Sequence, residues 1–148
     1  MAYSERELLA RIVQCEAGGE GDNGMKAVAT VIMNRVNASE GEYSRVSQGG
    51  SIRNIIFQTG QFDCARETIN YAYNPQNIYN MVPNEIHYNI ADWALAGNKL
   101  NEIGECLWYL NPFTPNCSGT FPYNGSGTFH TRIGQHCFYR PTTIYADT

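Results

Sequence analysis

ELLARIVQCEAGGEGDNGMKAVATVIMNRV, residues 7–36, decides how the rest of the chain is arranged. At about 100° per residue, Leu8, Leu9, Ile12 and Val13 fall on one face of a helix, and Glu16 projects near the middle of that face. Ser4 with Glu7 is a capping box, so the helix is predicted from Ser4 to about Ala17, where Gly18 and Gly19 stop it. A carboxylate on an apolar face either meets a cation or keeps its proton through a raised pKa. The second state is what general acid catalysis needs; the competing reading is a helix-terminal acid that reaches solvent.

After the loop GGEGDNG, Asn23 is a reasonable cap for a second helix over 24–36. Its residues Met25, Val28, Val31 and Ile32 leave little polar face, so it is predicted to be central and buried. Asn34 and Arg35 at its end are the polar exceptions. Arg35 reads either as a solvated cap or as a tie to a neighbouring loop or acid.

Further along, residues 37–50 are polar and turn-rich and read as loop. Ser51 caps a short helix with Ile52, Ile55 and Ile56 inward, and FQTGQFD follows as a tight turn carrying Phe62 and Asp63. A helical piece is expected over 65–73. Pro83 starts another helix with Ile86, Ile90, Trp93 and Ala94 in register, stopped by Gly97; Trp93 reads as core and His87 as surface. CLWYL (106–110) and HCFY (136–139) read as two paired strands. The Gly-, Ser- and Asn-rich stretch between them reads as a long functional loop.

The 148 residues suit a single domain, 1–148, with a groove between a helical body and a smaller strand-and-loop lobe. A net charge of −4 without a basic run speaks against nucleic acid as a partner. No apolar run is long enough for a membrane span. The first residues lack the basic and apolar segments of a secretory signal. Ten tyrosines, two tryptophans and many Asn and Gly residues suit a neutral, hydroxyl-rich ligand such as a sugar, though they also build ordinary cores.

Five cysteines leave at least one unpaired. Cys15, Cys64 and Cys106 read as small buried apolar residues, and Cys117 and Cys137 flank the long loop in a way that allows a disulfide. A cysteine nucleophile is disfavoured, because Cys15 lies near a helix C-terminus, where the dipole does not lower a thiol pKa. Three histidines that come singly give no zinc site. Glu20, four residues after Glu16, reads as a solvated loop acid, a second acid or a substrate-binding group, and Asp22 and Asp63 as turn-makers.

The segments ARIVQCEAGGEGDNGMKAVATVIMNRV, IIFQTGQF, CLWYLNP and IGQHCFYRPT together resemble the SleB/CwlJ family of bacterial cell-wall hydrolases of the spore cortex, its CwlJ branch in particular. The resemblance implies an α+β, mainly helical, lysozyme-like domain, similar to lytic transglycosylases and resuscitation-promoting factors, with a small antiparallel strand pair. It implies cleavage of peptidoglycan glycan strands with Glu16 as the catalytic acid. Glu20, Phe62, Trp108, Tyr109, Asn111 and His136 are the expected substrate-binding residues. Trp108 and Tyr109 point to opposite sides of a strand, so one of them belongs to the core. No cofactor or metal is assigned, and calcium activation stays open. The expected partners are glycan strands and a spore-coat protein that retains the enzyme. The expected location is the spore coat/cortex boundary, after synthesis in the mother-cell cytoplasm, with a phage-encoded wall lysin as the alternative. A hydrolytic muramidase, a metal-dependent amidase and a non-catalytic wall-binding module are the rival functions.

Overall fold

The structure, a computed structural model, describes residues 2–148. Helix α1 spans Glu5–Ala17, with the Ser4 hydroxyl accepting the Glu7 N–H as its sequence requires. Its apolar stripe, Leu8, Leu9, Ile12 and Val13, is fully buried, each side chain contributing about 1.5–3 kcal/mol by leaving water. Only Gly18, Gly19 and Glu20 separate α1 from α2, Gly21–Val36. Gly21 takes the turn at φ +79°, a conformation that favours glycine, so α2 starts three residues earlier than expected and Asn23 lies inside it rather than capping it.

The end of α2 holds the next layer. Asn34 Nδ2 donates to the carbonyls of Gly104 and Cys106, both at 2.9 Å, and Arg35 Nε donates to the Leu107 carbonyl at 2.7 Å. Arg35 is therefore a tie to a loop, buried with its guanidinium over the Tyr43 and Phe62 rings rather than solvated. Its anchor leads directly into β3, Trp108–Leu110.

Helix α5, Glu85–Leu95, packs antiparallel to α1: Gln14 near the end of α1 donates to the Val82 carbonyl, and Arg6 near its start pairs with Asp92. His87, expected at the surface, is buried because its Nδ1 accepts the Asn84 N–H and closes the cap of α5. That shifts the buried stripe to His87, Ile90, Ala91 and Ala94, leaving Ile86 exposed and Trp93 partly buried.

Three further expectations give way. The stretch 37–50 contains a helix, α3, Gly41–Ser47, which buries Tyr43 against Trp108 and Tyr145. It precedes α4, Ile52–Ile56, which Ser51 caps as expected. Residues 65–73 are not helical: after a single 3-10 turn, Asp63–Ala65, β1 (Thr68–Ile69) and β2 (Ala72–Tyr73) form a hairpin whose Asn70 and Tyr71 both take positive φ. The supposed long loop contains β4, Gly127–Ile133. The expected pair, β3 and β5 (His136–Pro141), thus becomes a three-stranded antiparallel sheet of order β3-β5-β4.

Two disulfides cross-link these elements. Cys117–Cys137 ties the loop to β5. Cys15–Cys64 corrects the reading of both residues as plain buried thiols; it joins the end of α1 to the turn after Phe62. Cys106 alone is free and buried, and burial pushes its thiol up to about 12, which leaves it unreactive.

Candidate active site

Where α1 ends against the sheet lies an open groove of about 410 Å³, whose walls include Gln14, Glu16, Glu20, Gln76, Asn111 and His136. Glu16 reaches it from the last turn of α1 and is partly buried. Its Oε1 accepts a hydrogen bond from the Tyr109 hydroxyl at 2.6 Å. Burial raises the Glu16 pKa above the ordinary carboxylate value. The Tyr109 bond opposes that rise, the charge of Asp63 adds to it, and Arg35 opposes it more weakly. Tyr109 is itself driven well above the usual phenol value, by burial first and then by Glu16, so it stays a donor. With Oε1 taken, Oε2 is left to carry the proton of the neutral acid.

The position of Tyr109 follows from strand alternation. Trp108 and Tyr109 do point opposite ways, and Trp108 is the core member, 5% exposed and edge-on to Tyr145. Tyr109 takes the other side and lies behind Glu16, its ring set edge-on to His136 with centroids 5.0 Å apart.

Glu20 is neither loose in solvent nor a free second acid. Its Oε1 accepts the Gln135 N–H at 2.9 Å and lies 3.4 Å from His136 Nδ1. The His136 contact lacks hydrogen-bond alignment, so Nδ1 is a buried atom without a partner; burial lowers the His136 pKa while Glu20 works to raise it. A neutral imidazole on the groove wall is the result. Gly24 and Gly134 make this packing feasible, since a Cβ at Gly24 would come within 2.4 Å of Glu20 Cβ and one at Gly134 within 3.3 Å of its Oε1.

Of the expected groove residues, Glu16, Glu20, Asn111 and His136 line it. Three do not, and of these Tyr109 lies behind Glu16, bonded to it. Trp108 and Phe62 are core residues; Phe62 is 3% exposed and packs beneath the Arg35 guanidinium. The groove walls are instead amides that sequence reasoning did not single out. Gln76 is the clearest, its Nε2 donating to the Cys15 carbonyl at 3.1 Å. Asp63 is exposed and beside Arg66, close enough for its charge to act on Glu16. Among the described residues no group of three His, Cys, Asp or Glu side chains is placed to hold a metal ion.

A family model described as Cell Wall Hydrolase matches residues 19–139, a span that opens just past Glu16 and contains Glu20, Tyr109, Asn111 and His136. The cell wall hydrolase CwlJ of Oceanobacillus iheyensis is 29% identical over 141 residues, 94% of this chain and 88% of that protein. CwlJ of Bacillus subtilis is 29% identical over 136 residues, 92% and 84%. Among solved structures, the catalytic domain of the germination-specific lytic transglycosylase SleB from Bacillus anthracis superposes with a TM-score of 0.64 at 26% identity, covering 94% of this chain and 98% of that one. The SleB catalytic domain of Bacillus cereus gives 0.59 at 27%, covering 94% and 93%. The mainly helical α+β fold with its small antiparallel sheet is the lysozyme-like architecture of these structures.

Proposed function

Since the chain belongs to the SleB/CwlJ family of cell-wall hydrolases, enzymes of peptidoglycan breakdown, we propose that it cleaves the glycan strand between N-acetylmuramic acid and N-acetylglucosamine as a lytic transglycosylase. Glu16 is the acid and then the base. Its O–H protonates the bridging oxygen, the bond from that oxygen to C1 of the muramic residue breaks, and positive charge develops on the ring. The Glu16 carboxylate then takes the proton of the same sugar's 6-hydroxyl, whose oxygen closes on C1 as a 1,6-anhydro ring. Glu16 ends the cycle protonated, as it began.

The observation that carries this reading is the sheltered carboxyl of Glu16 at the groove, raised in pKa by burial and held by the Tyr109 hydroxyl. A glycosidase that uses water needs a second carboxylate at a set separation. Glu20 is committed to the Gln135 N–H, which favours the one-acid route. Asn111 and His136 supply groups for the acetamido and hydroxyl substituents. Residues 1–148 act as one catalytic unit in this reading.

A hydrolytic muramidase would have to use Asp63 as its second carboxylate: the Cys15–Cys64 bond draws it toward the end of α1, but it is exposed beside Arg66 and is not part of the groove wall. Mass spectrometry of fragments from purified cortex decides between the two, because a transglycosylase product is one water lighter than a hydrolytic one. Glu16→Gln is expected to abolish cleavage, a loss of at least about 10²-fold, with the fold intact. Cleavage that survives in that variant would overturn the reading. Release of peptide rather than glycan would point to the amidase.

The name of one relative, a germination-specific lytic transglycosylase, supports a role in germination; the family resemblance read from the sequence extends the proposal to the spore cortex, at the coat/cortex boundary, with a coat protein as retaining partner. Two disulfides suit such an oxidising setting.

A further inference from the structure

A second hollow, about 600 Å³, lies between the first turns of α2 and helix α5. Asp22 and Lys26 wall it from α2, and Asn84, Ile86, Asn89 and Trp93 from α5 and its cap. The two hollows have no wall residue in common, but their walls are linked at two places. At one, Glu20 of the groove is followed two residues later by Asp22. At the other, the groove residue Gln14 donates to the carbonyl of Val82, two residues before Asn84. Between them Gly18 and Gly19 are exposed, and a Cβ at Gly19 would meet nothing within 4 Å. That stretch presents backbone without side chains to anything that passes over it.

The catalytic groove lacks one thing a glycan strand uses. Pyranose rings present an apolar C–H face that packs on aromatic and aliphatic side chains, yet Phe62 and Trp108 are in the core and the groove walls are mostly amides and acids. The second hollow has the missing surface in Trp93 and in Ile86, which is 43% exposed. The amides of Asn84 and Asn89 stand beside them. The Lys26 ammonium is already paired with Asp22 at 3.0 Å and lies 5.4 Å from the Trp93 ring centroid, so it is not a free cation waiting for an anionic ligand.

We infer that this hollow is a distal subsite for the glycan strand: a pyranose ring beyond the scissile bond packs on Trp93 and Ile86 and meets Asn84 and Asn89 through its hydroxyl or acetamido groups. The inference rests on the glycan-cleaving reading above. Its mark is dependence on chain length. The probe is a ladder of N-acetylglucosamine–N-acetylmuramic acid oligomers, given to the active enzyme for kinetics and to Glu16→Gln for binding. Trp93→Ala and Ile86→Lys are expected to raise KM, and Kd in the Glu16→Gln background, about tenfold on long strands, with kcat unchanged and the shortest cleavable oligomer unaffected.

Thermal melts check that each variant is folded, and Ile86→Lys, at an exposed position, decides the matter should Trp93→Ala lose its fold. Phe113→Ala, removing an exposed ring from the loop after β3, is the control and is expected to change nothing. Equal losses on short and long strands, no loss in a folded variant, or a loss reproduced by Phe113→Ala would each overturn the subsite. If wild type cleaves no oligomer and Glu16→Gln binds none, the failure belongs to the catalytic reading itself.

Discussion

Tyr109→Phe removes one oxygen atom and leaves the ring on His136 in place, so it isolates the hydrogen bond to Glu16 Oε1. That bond stabilises the carboxylate more than the neutral acid, and in the proposed mechanism the carboxylate forms as the proton leaves for the sugar. Its strength is therefore felt in the transition state rather than in substrate binding. A hydrogen bond to a charged group is worth about 1.5–3 kcal/mol. At about 1.4 kcal/mol per decade, kcat is expected to fall roughly 10- to 150-fold with KM little changed. The pH profile gives a second, independent signature. The Tyr109 bond holds the Glu16 pKa down against burial, so its loss raises that pKa. The alkaline limb, where the acid loses its proton, moves to higher pH: a slower enzyme with a more alkaline profile. The assay is anhydro-product formation from glycan oligomers across pH, followed by chromatography. A limb that moves toward acid, or a loss carried by KM with kcat intact, would refute the assignment of Tyr109.

Glu16→Gln is expected to stabilise the fold at neutral pH. Because burial raises the folded pKa of Glu16, its proton-linked stability is fully present below the unfolded value, about 4.3, and is lost as pH rises through the folded pKa. The variant has no such loss, so its melting temperature should exceed that of wild type near pH 8, and the gap should close near pH 4; an equal gap at both pH values contradicts the burial argument. Asn34→Ala withdraws the donor of two carbonyls, Gly104 and Cys106, at a cost of roughly 2–4 kcal/mol. In a chain of this size the melting temperature should drop by roughly 4–16 °C, and a change within one degree would show that water replaces the amide without cost.

What could be read from the residues divides along physical lines. The place of Glu16 was legible because two local signals, a helical stripe and a pair of glycines, met at one residue. The β3–β5 pair was legible from aromatic runs bounded by turn formers. β4 was obscured by a Gly- and Ser-rich approach, although Gly134–Gln135 between TFHTRI and HCFYRP has the form of a two-residue hairpin turn. The Cys15–Cys64 bond, spanning 49 residues, leaves no local mark, since spacing alone does not give connectivity. The burial of His87 was missed because a histidine accepting at the third helical position is an uncommon way to close a capping box. Phe62 and Trp108 were placed in the groove by resemblance. Only tertiary packing, the arginine over one and the tyrosines around the other, shows them to be core.

The recognisable motifs act as parts of one mechanical arrangement. Helix α2 holds the sheet at both of its ends: Asn34 and Arg35 grip residues 104–107 on the way into β3, while Glu20, just before its first turn, grips the β4–β5 turn through Gln135. β3 and β5 are paired between those two grips, with Tyr109 opposite Phe138. Since α1 enters α2 through only three residues, the acid at the end of α1 is held relative to the same helix. Two short lever arms, one from each end of α2, thus set the distance between the Tyr109 phenol and the Glu16 carboxyl. In the role proposed for Glu16, a proton donor tuned by a single hydrogen bond tolerates little slack in that distance, which gives a physical reason for the acid, the Asn-Arg pair and the aromatic strands to occur together in one short chain.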